Sequence, residues 1–189
     1  MRGFTVIEIL VAVGIIMLTT GLLFVNWQSA KGHLSLERAV SQVAQDITRA
    51  QELSLRSQVF LCSSGSISGY GIYFDVVTPS SYILFAECNG DNTYQSGVDG
   101  VVEKITLEKG VFFTQLVPTP NWSIVFVPPE PQIFLKPGDP SQVNVVLGLE
   151  QDASFKKTIN VNARGVIDTA LGAPPPIFGE TPPPPKKKR

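Results

Sequence analysis

One carboxylate sets the problem. Residues 4–27 form a run in which Glu8 is the only charged side chain, and a helix of that length rises about 36 Å at ~1.5 Å per residue. That is enough to cross a hydrocarbon core of ~30 Å. Arg2 lies on one side of the run and the next basic residue is Lys31. Positive charge therefore places the N-terminus in the cytoplasm and the rest of the chain outside. A carboxylate inside such a helix costs roughly 2.5–3.5 kcal/mol on insertion scales, less near the interface, so one that is present usually has a partner. A secretory signal gains nothing from it, and such signals have shorter apolar regions. A cleaved signal, a plain single-pass anchor and a buried helix of a soluble protein stay open on hydropathy alone.

Gly3-Phe4-Thr5-Val6-Ile7-Glu8, followed by Ile9-Leu10-Val11-Ala12-Val13-Gly14-Ile15-Ile16, resembles the N-terminal signal of type IV prepilins and type II secretion pseudopilins. The resemblance implies that a prepilin peptidase cuts between Gly3 and Phe4 and that Phe4 becomes the N-methylated terminus. It also implies that Glu8, fifth in the mature chain, pairs with the Phe4 amine of a neighbouring subunit, or of its own, during filament assembly. Where many major pilins have a kinking proline in the second half of this segment, this chain has Gly14 and Gly21.

Past Trp27 the pattern changes. Leu36, Val40, Val43, Ile47 and Ala50 recur at steps of four, three, four and three, with Glu37, Arg38, Gln42, Asp46 and Arg49 between them. This predicts an amphipathic helix. With no proline before Pro79, one rod is expected from about Thr5 to Ser57. From Val59 onward, short β-prone runs alternate with turn residues. Strands are expected at residues 59–62, 71–74, 82–86, 101–107, 111–116, 123–127, 143–149, 158–161 and 166–168. The proline-rich residues 128–140 read as a loop or edge insertion. Gly69-Tyr70-Gly71-Ile72-Tyr73-Phe74-Asp75 and Tyr82-Ile83-Leu84-Phe85-Ala86 resemble a hairpin of the GspH/FimT-like minor pseudopilin branch.

Cys62 and Cys88 end two expected strands that could be neighbours, and an exported location permits oxidation. A disulfide or two buried thiols follow. Asn89, Asp91, Thr93, Gln95 and Asp99, with Glu103 in reach, alternate oxygen donors with turn formers. That pattern fits a calcium loop and equally a solvated hairpin loop. Arg164 lies in a predicted turn near Lys156 and Lys157; it is a candidate nucleic-acid contact, against the alternative of a plain turn, although a DNA groove needs several phosphate contacts.

The 189 residues carry Lys+Arg 15 against Asp+Glu 16, a formal charge of -1. No global basic field is available to recruit nucleic acid. With His33 the only histidine and two cysteines, a structural zinc site cannot be assembled. No nucleophile, base and orienting group stand together, and the chain reads as a non-enzyme. The expected organisation is α+β, the pilin fold that the resemblance implies. It comprises a leader at 1–3, a transmembrane and polymerisation helix at 4–27, an amphipathic helix at 28–57, an antiparallel β head at 58–172 and a Pro-rich basic tail at 173–189. The tail ends in Lys186, Lys187, Lys188 and Arg189 and reads as polyproline II or disordered.

The function that the resemblance implies is that of a minor pilin or pseudopilin. It would be a membrane-inserted structural subunit of a type IV pilus or type II secretion filament, carried outward in the periplasmic or extracellular filament. Its partners would be other pilin subunits, the prepilin peptidase and the inner-membrane assembly platform. The alternative is an adhesive or DNA-uptake (competence) minor pilin acting as a binding module. No cofactor is implied beyond possible Ca2+.

Overall fold

The computed structural model describes residues 5–56, 59–62, 66–129, 132–152 and 154–171, without the side chains of residues 22–30, 170 and 171. The expected leader, Phe4 and the expected tail at 173–189 lie outside the described residues.

The chain is α+β. A single helix, α1 (Val6–Leu55), runs for 50 residues and ends at Arg56, whose N–H still donates to the Glu52 carbonyl. Among the described residues nine strands follow: β1 (Gly69–Asp75), β2 (Ser81–Glu87), β3 (Gly100–Thr106), β4 (Val111–Val117), β5 (Asn121–Val127), β6 (Gln132–Lys136), β7 (Gln142–Leu149), β8 (Lys156–Asn162) and β9 (Ile167–Leu171). They form two antiparallel sheets, one of five strands in the order β3-β2-β1-β5-β6 and one of four in the order β4-β7-β8-β9.

The helical period places Leu36, Ala39, Val40, Val43, Ile47 and Ala50 on one face, and all six are buried. That face packs against both sheets. Ile72 and Phe74 of β1, Leu84 of β2 and Trp122, Ile124 and Phe126 of β5 meet it from the larger sheet. Val143, Val145 and Leu147 of β7 with Ile159 and Val161 of β8 meet it from the smaller. Phe113 of β4 joins the layers, edge-on to Phe74 with centroids 5.4 Å apart. Polar pins fix the axial position of the helix. The Tyr82 hydroxyl donates to Asp46 Oδ2 at 2.6 Å, and the Ser54 hydroxyl donates to the Phe126 carbonyl at 2.7 Å. Each is worth about 1 kcal/mol net where the groups are shielded from water.

One expectation needs correction. Residues 59–62 form no strand: the Phe60 ring sits over Gly100, where any Cβ would collide with it, and Cys62 is held by a disulfide, so the backbone follows those two anchors instead of a ladder. The proline-rich stretch, read as a loop or edge insertion, holds β6 at the sheet edge, paired with β5 alone among the described strands. There the lost donors of flanking prolines cost no ladder bonds. The antiparallel head comprises two sheets, because a helix with a wide apolar face can be covered from both flanks.

Residues 6–21 do not touch the head and their apolar side chains are exposed, Val6 at 80% and Leu18 at 72%. Among the described residues no helix is long and apolar enough to cross a membrane. Those sixteen positions, whose side chains are described, rise only about 24 Å.

Candidate functional site

Two features stand out: the projecting half of α1, and a loop strapped across the outer face of the larger sheet.

In the projecting half, Glu8 is exposed in the first turn of α1, where the unsatisfied N–H groups favour negative charge. Thr19 and Thr20 are the other polar side chains of residues 6–21. The Thr20 hydroxyl donates to the Ile16 carbonyl at 2.7 Å, and that of Thr19 to Ile15 at 2.9 Å. Both hydroxyls are thus satisfied within the helix, as an apolar surrounding requires.

The strap comprises residues 88–99, between β2 and β3. Cys62 and Cys88 are joined by a disulfide with Cα atoms 5.7 Å apart. It ties the start of the strap to the connection that follows α1. Tyr94 seats the strap's middle: its N–H donates to the Ser123 hydroxyl at 2.9 Å, and its ring packs on Tyr73 and Phe85 at 4.9 and 5.1 Å. Asp99 closes the far end, its two oxygens accepting from the N–H of Cys88 at 3.0 Å and of Gln95 at 2.7 Å. Gly90 and Gly97 provide the left-handed turns, with φ of 79° and 84°, a region open to glycine without steric cost.

Among the candidate calcium oxygens, those of Asn89, Asp91 and Asp99 accept hydrogen bonds from the loop itself. Asp91 accepts from the Thr93 N–H at 2.8 Å and from the side-chain amides of Asn89 and Gln95, while Asn89 Oδ1 accepts from the Asp91 N–H. Glu103 does not belong to the set: on β3 it accepts from Arg49 of α1 at 2.8 Å. Among the described residues no three His, Cys, Asp or Glu side chains gather in a form that could hold a metal ion.

The residue missed in the sequence is Glu87. It is fully buried beneath the strap; its Oε1 accepts from the N–H of Asn89 and Gly90 at 3.1 and 3.0 Å, while Oε2 has no hydrogen-bond partner. Burial pushes its carboxyl above the ordinary range against the pull of the two amides, and Asp99 and Asp91 push it further up. A strand-end glutamate in an exposed-looking loop gives no sequence signal of this.

A folded carboxyl that holds its proton to higher pH than the unfolded chain does contributes stability fully present below the unfolded pKa. That stability is lost as pH rises through the raised folded value. Glu87→Gln keeps the shape and cannot ionise. It should stabilise the protein at neutral pH by about 1–3 kcal/mol, the cost of an unpartnered buried charged acceptor. Near about pH 4, close to the unperturbed glutamate pKa, the gain should shrink strongly. Thermal unfolding of both forms at the two pH values measures this, and equal gains at both would show that ionisation is not the cost.

The basic candidates are not brought together. Arg164 is exposed at the β8–β9 turn, where its N–H donates to Asn162 Oδ1 at 2.9 Å. Lys156 and Lys157 begin β8 at the opposite end of a seven-residue strand, about 20 Å away. Lys157 is paired with Glu37 of α1. His33 packs its ring edge-on against Phe155 with centroids 3.9 Å apart, and its buried Nδ1 has no hydrogen-bond partner. Comparison of the chain with protein-family models, with curated proteins and with solved structures finds no match.

Proposed function

We propose that this chain is a pilin-like filament subunit, a minor pilin or pseudopilin with a pilin fold. One observation carries the reading. A single 50-residue helix has one half docked in the head by a buried apolar face and the other half projecting with apolar side chains exposed all round. A helix that is apolar all round calls for burial in lipid or among other helices.

The projecting half serves both settings in turn. In the bilayer its internally bonded threonines leave no hydroxyl unsatisfied. In the filament, helices of neighbouring subunits replace lipid. Glu8 then pairs with the Phe4 amine of a neighbour, two charges that leave water together. The Gly3-Phe4 junction supplies that amine once the peptidase has cut. The strapped head sits outside, and the disulfide is consistent with an oxidising compartment.

The test is intact mass and N-terminal sequencing after expression with and without a prepilin peptidase. The expected product with the enzyme begins at methylated Phe4, and without it the chain is uncut. An uncut chain in both cultures, or a cut beyond Val25, would remove the filament reading and leave an anchored or secreted head.

A further inference from the structure

The first turn of the strap sets up a reaction of the chain on itself. Asn89 and Gly90 are both exposed there, and Asn89 is the only asparagine of the chain that a glycine follows. The main-chain nitrogen after an asparagine can attack the side-chain amide carbon and close a five-membered imide. A Cβ on the following residue crowds that attack, and glycine has none. Elsewhere in the head Asn92, Asn121, Asn144, Asn160 and Asn162 precede threonine, tryptophan, valine, valine and alanine. Asn144 is also buried, its Oδ1 accepting from the side chain of Asn160 at 2.7 Å.

Each atom that changes charge in this closure has a group beside it. The Gly90 N–H, which must lose its proton, donates to Glu87 Oε1 at 3.0 Å. Asn89 Oδ1, on which negative charge grows, accepts from the Asp91 N–H at 3.1 Å. A backbone donor fixed in that position stabilises a developing oxyanion. The Asn89 amide nitrogen, which must leave, donates to Asp91 Oδ2 at 3.1 Å. Nothing from the rest of the molecule stands within 4 Å of where a Cβ of Gly90 would lie, so water reaches the turn. Glu87 is itself suited to take the proton: it is fully buried, its Oε2 has no hydrogen-bond partner, and Asp91 and Asp99 disfavour its charge. A carboxylate so placed gains by accepting a proton, which removes a charge held away from water.

We propose that Asn89 is a self-modification site, at which Glu87 acts as general base for deamidation of the Asn89 side chain through a cyclic imide. The Gly90 nitrogen bonds to Asn89 Cγ as its proton passes to Glu87 Oε1. The Cγ–Nδ2 bond then breaks, Nδ2 takes a proton from water and leaves as ammonia, and the hydroxide so formed recovers the proton from Glu87. A further water opens the imide: attack at Cγ leaves an aspartate, and attack at the main-chain carbonyl leaves an isoaspartate whose peptide bond runs through Cγ. One water is consumed and one ammonia released, with nothing oxidised. Either product puts a carboxylate where Asn89 donated to Asp91, and the isoaspartate lengthens the main chain by one carbon directly after Cys88. The strap's first turn thus loses a hydrogen bond and gains like-charge repulsion as the molecule ages.

The full chain, folded in detergent, is incubated at neutral pH and sampled over time. Peptide mass spectrometry reads the one-unit mass gain at each asparagine, and an isoaspartyl methyltransferase counts the isoaspartate. Expected is a gain confined to Asn89, at least about tenfold faster than in the same chain unfolded in guanidinium chloride and at least about tenfold slower in E87Q, within what a positioned base contributes. Glutamine can still accept from the Asn89 and Gly90 N–H groups but cannot take a proton. A turn that Glu87 only restrained would therefore react unchanged in E87Q. Reaction no faster in the folded chain than in the unfolded one, or as fast in E87Q as with Glu87, would overturn the proposal. If near-ultraviolet circular dichroism shows E87Q unfolded, the folded and unfolded rates of the unsubstituted chain decide alone.

Discussion

Ile47→Asp should abolish the folded head, while the same change at Leu34 should leave it intact. Ile47 is fully buried among side chains of both sheets, whereas Leu34, on the same helix, is half exposed. Removing the buried aliphatic chain costs about 2–5 kcal/mol through lost transfer energy and the cavity left behind. Placing an unpaired carboxylate there adds several more or forces it to take up a proton. The sum is comparable with the whole stability of a domain, about 5–15 kcal/mol. Near-ultraviolet circular dichroism of the full chain in detergent should lose its signal in the Ile47 variant and keep it in the Leu34 variant, where an exposed substitution costs within about 0.5 kcal/mol. A native spectrum for the Ile47 variant would mean that the sheets hold together without the helix.

Cys62→Ser or Cys88→Ser should be the next most damaging change. The bond closes a separation of 26 residues, and the chain-entropy model assigns such a loop about 3.5 kcal/mol. The loss should fall first on the strap and on the connection after α1, which depends on this bond and on the Phe60 ring over Gly100. Hydrogen exchange at the Cys88, Tyr94 and Gln95 amides, all bonded to strap or sheet partners, should rise before exchange in β7 or β8, because local opening costs less than global unfolding. Uniform loss of protection across both sheets would show instead that the disulfide belongs to the global cooperative unit.

The strap also shows what an oxygen-rich loop can do for its own backbone. Asn89, Asp91, Gln95 and Asp99 have the composition of a cation loop, and composition does not say which way an oxygen points. Here the carboxylates cap backbone N–H groups left over by a long turn, and a tyrosine provides the seat. Tyr94 is the only large ring in the loop, and its packing on Tyr73 and Phe85 is a tertiary contact that the sequence does not show.

The α+β class, the buried stripe of α1 and eight of the nine strands were legible because each is a local pattern. A period of 3.6 or 2 is written in consecutive residues and survives whatever packs against it. The strand β6 was legible only as a loop or edge insertion, since the flanking prolines mask a ladder that exists because β5 offers an unpaired edge. Residues 59–62 failed in the opposite direction: Val59, Phe60 and Leu61 look like a strand, yet Leu61 is 91% exposed because no edge accepts them.

By itself, then, the sequence determined the helix and eight of the strands described, which face of the helix is apolar and where the sole charge of the N-terminal run lies. Only the tertiary structure decided that the strands divide into two sheets, that Glu103 answers Arg49 and that Glu87 is sealed beneath the strap. These are contacts between residues far apart in the chain. They depend on which surfaces remain uncovered once the rest of the molecule has packed, and no local pattern of side chains carries that information.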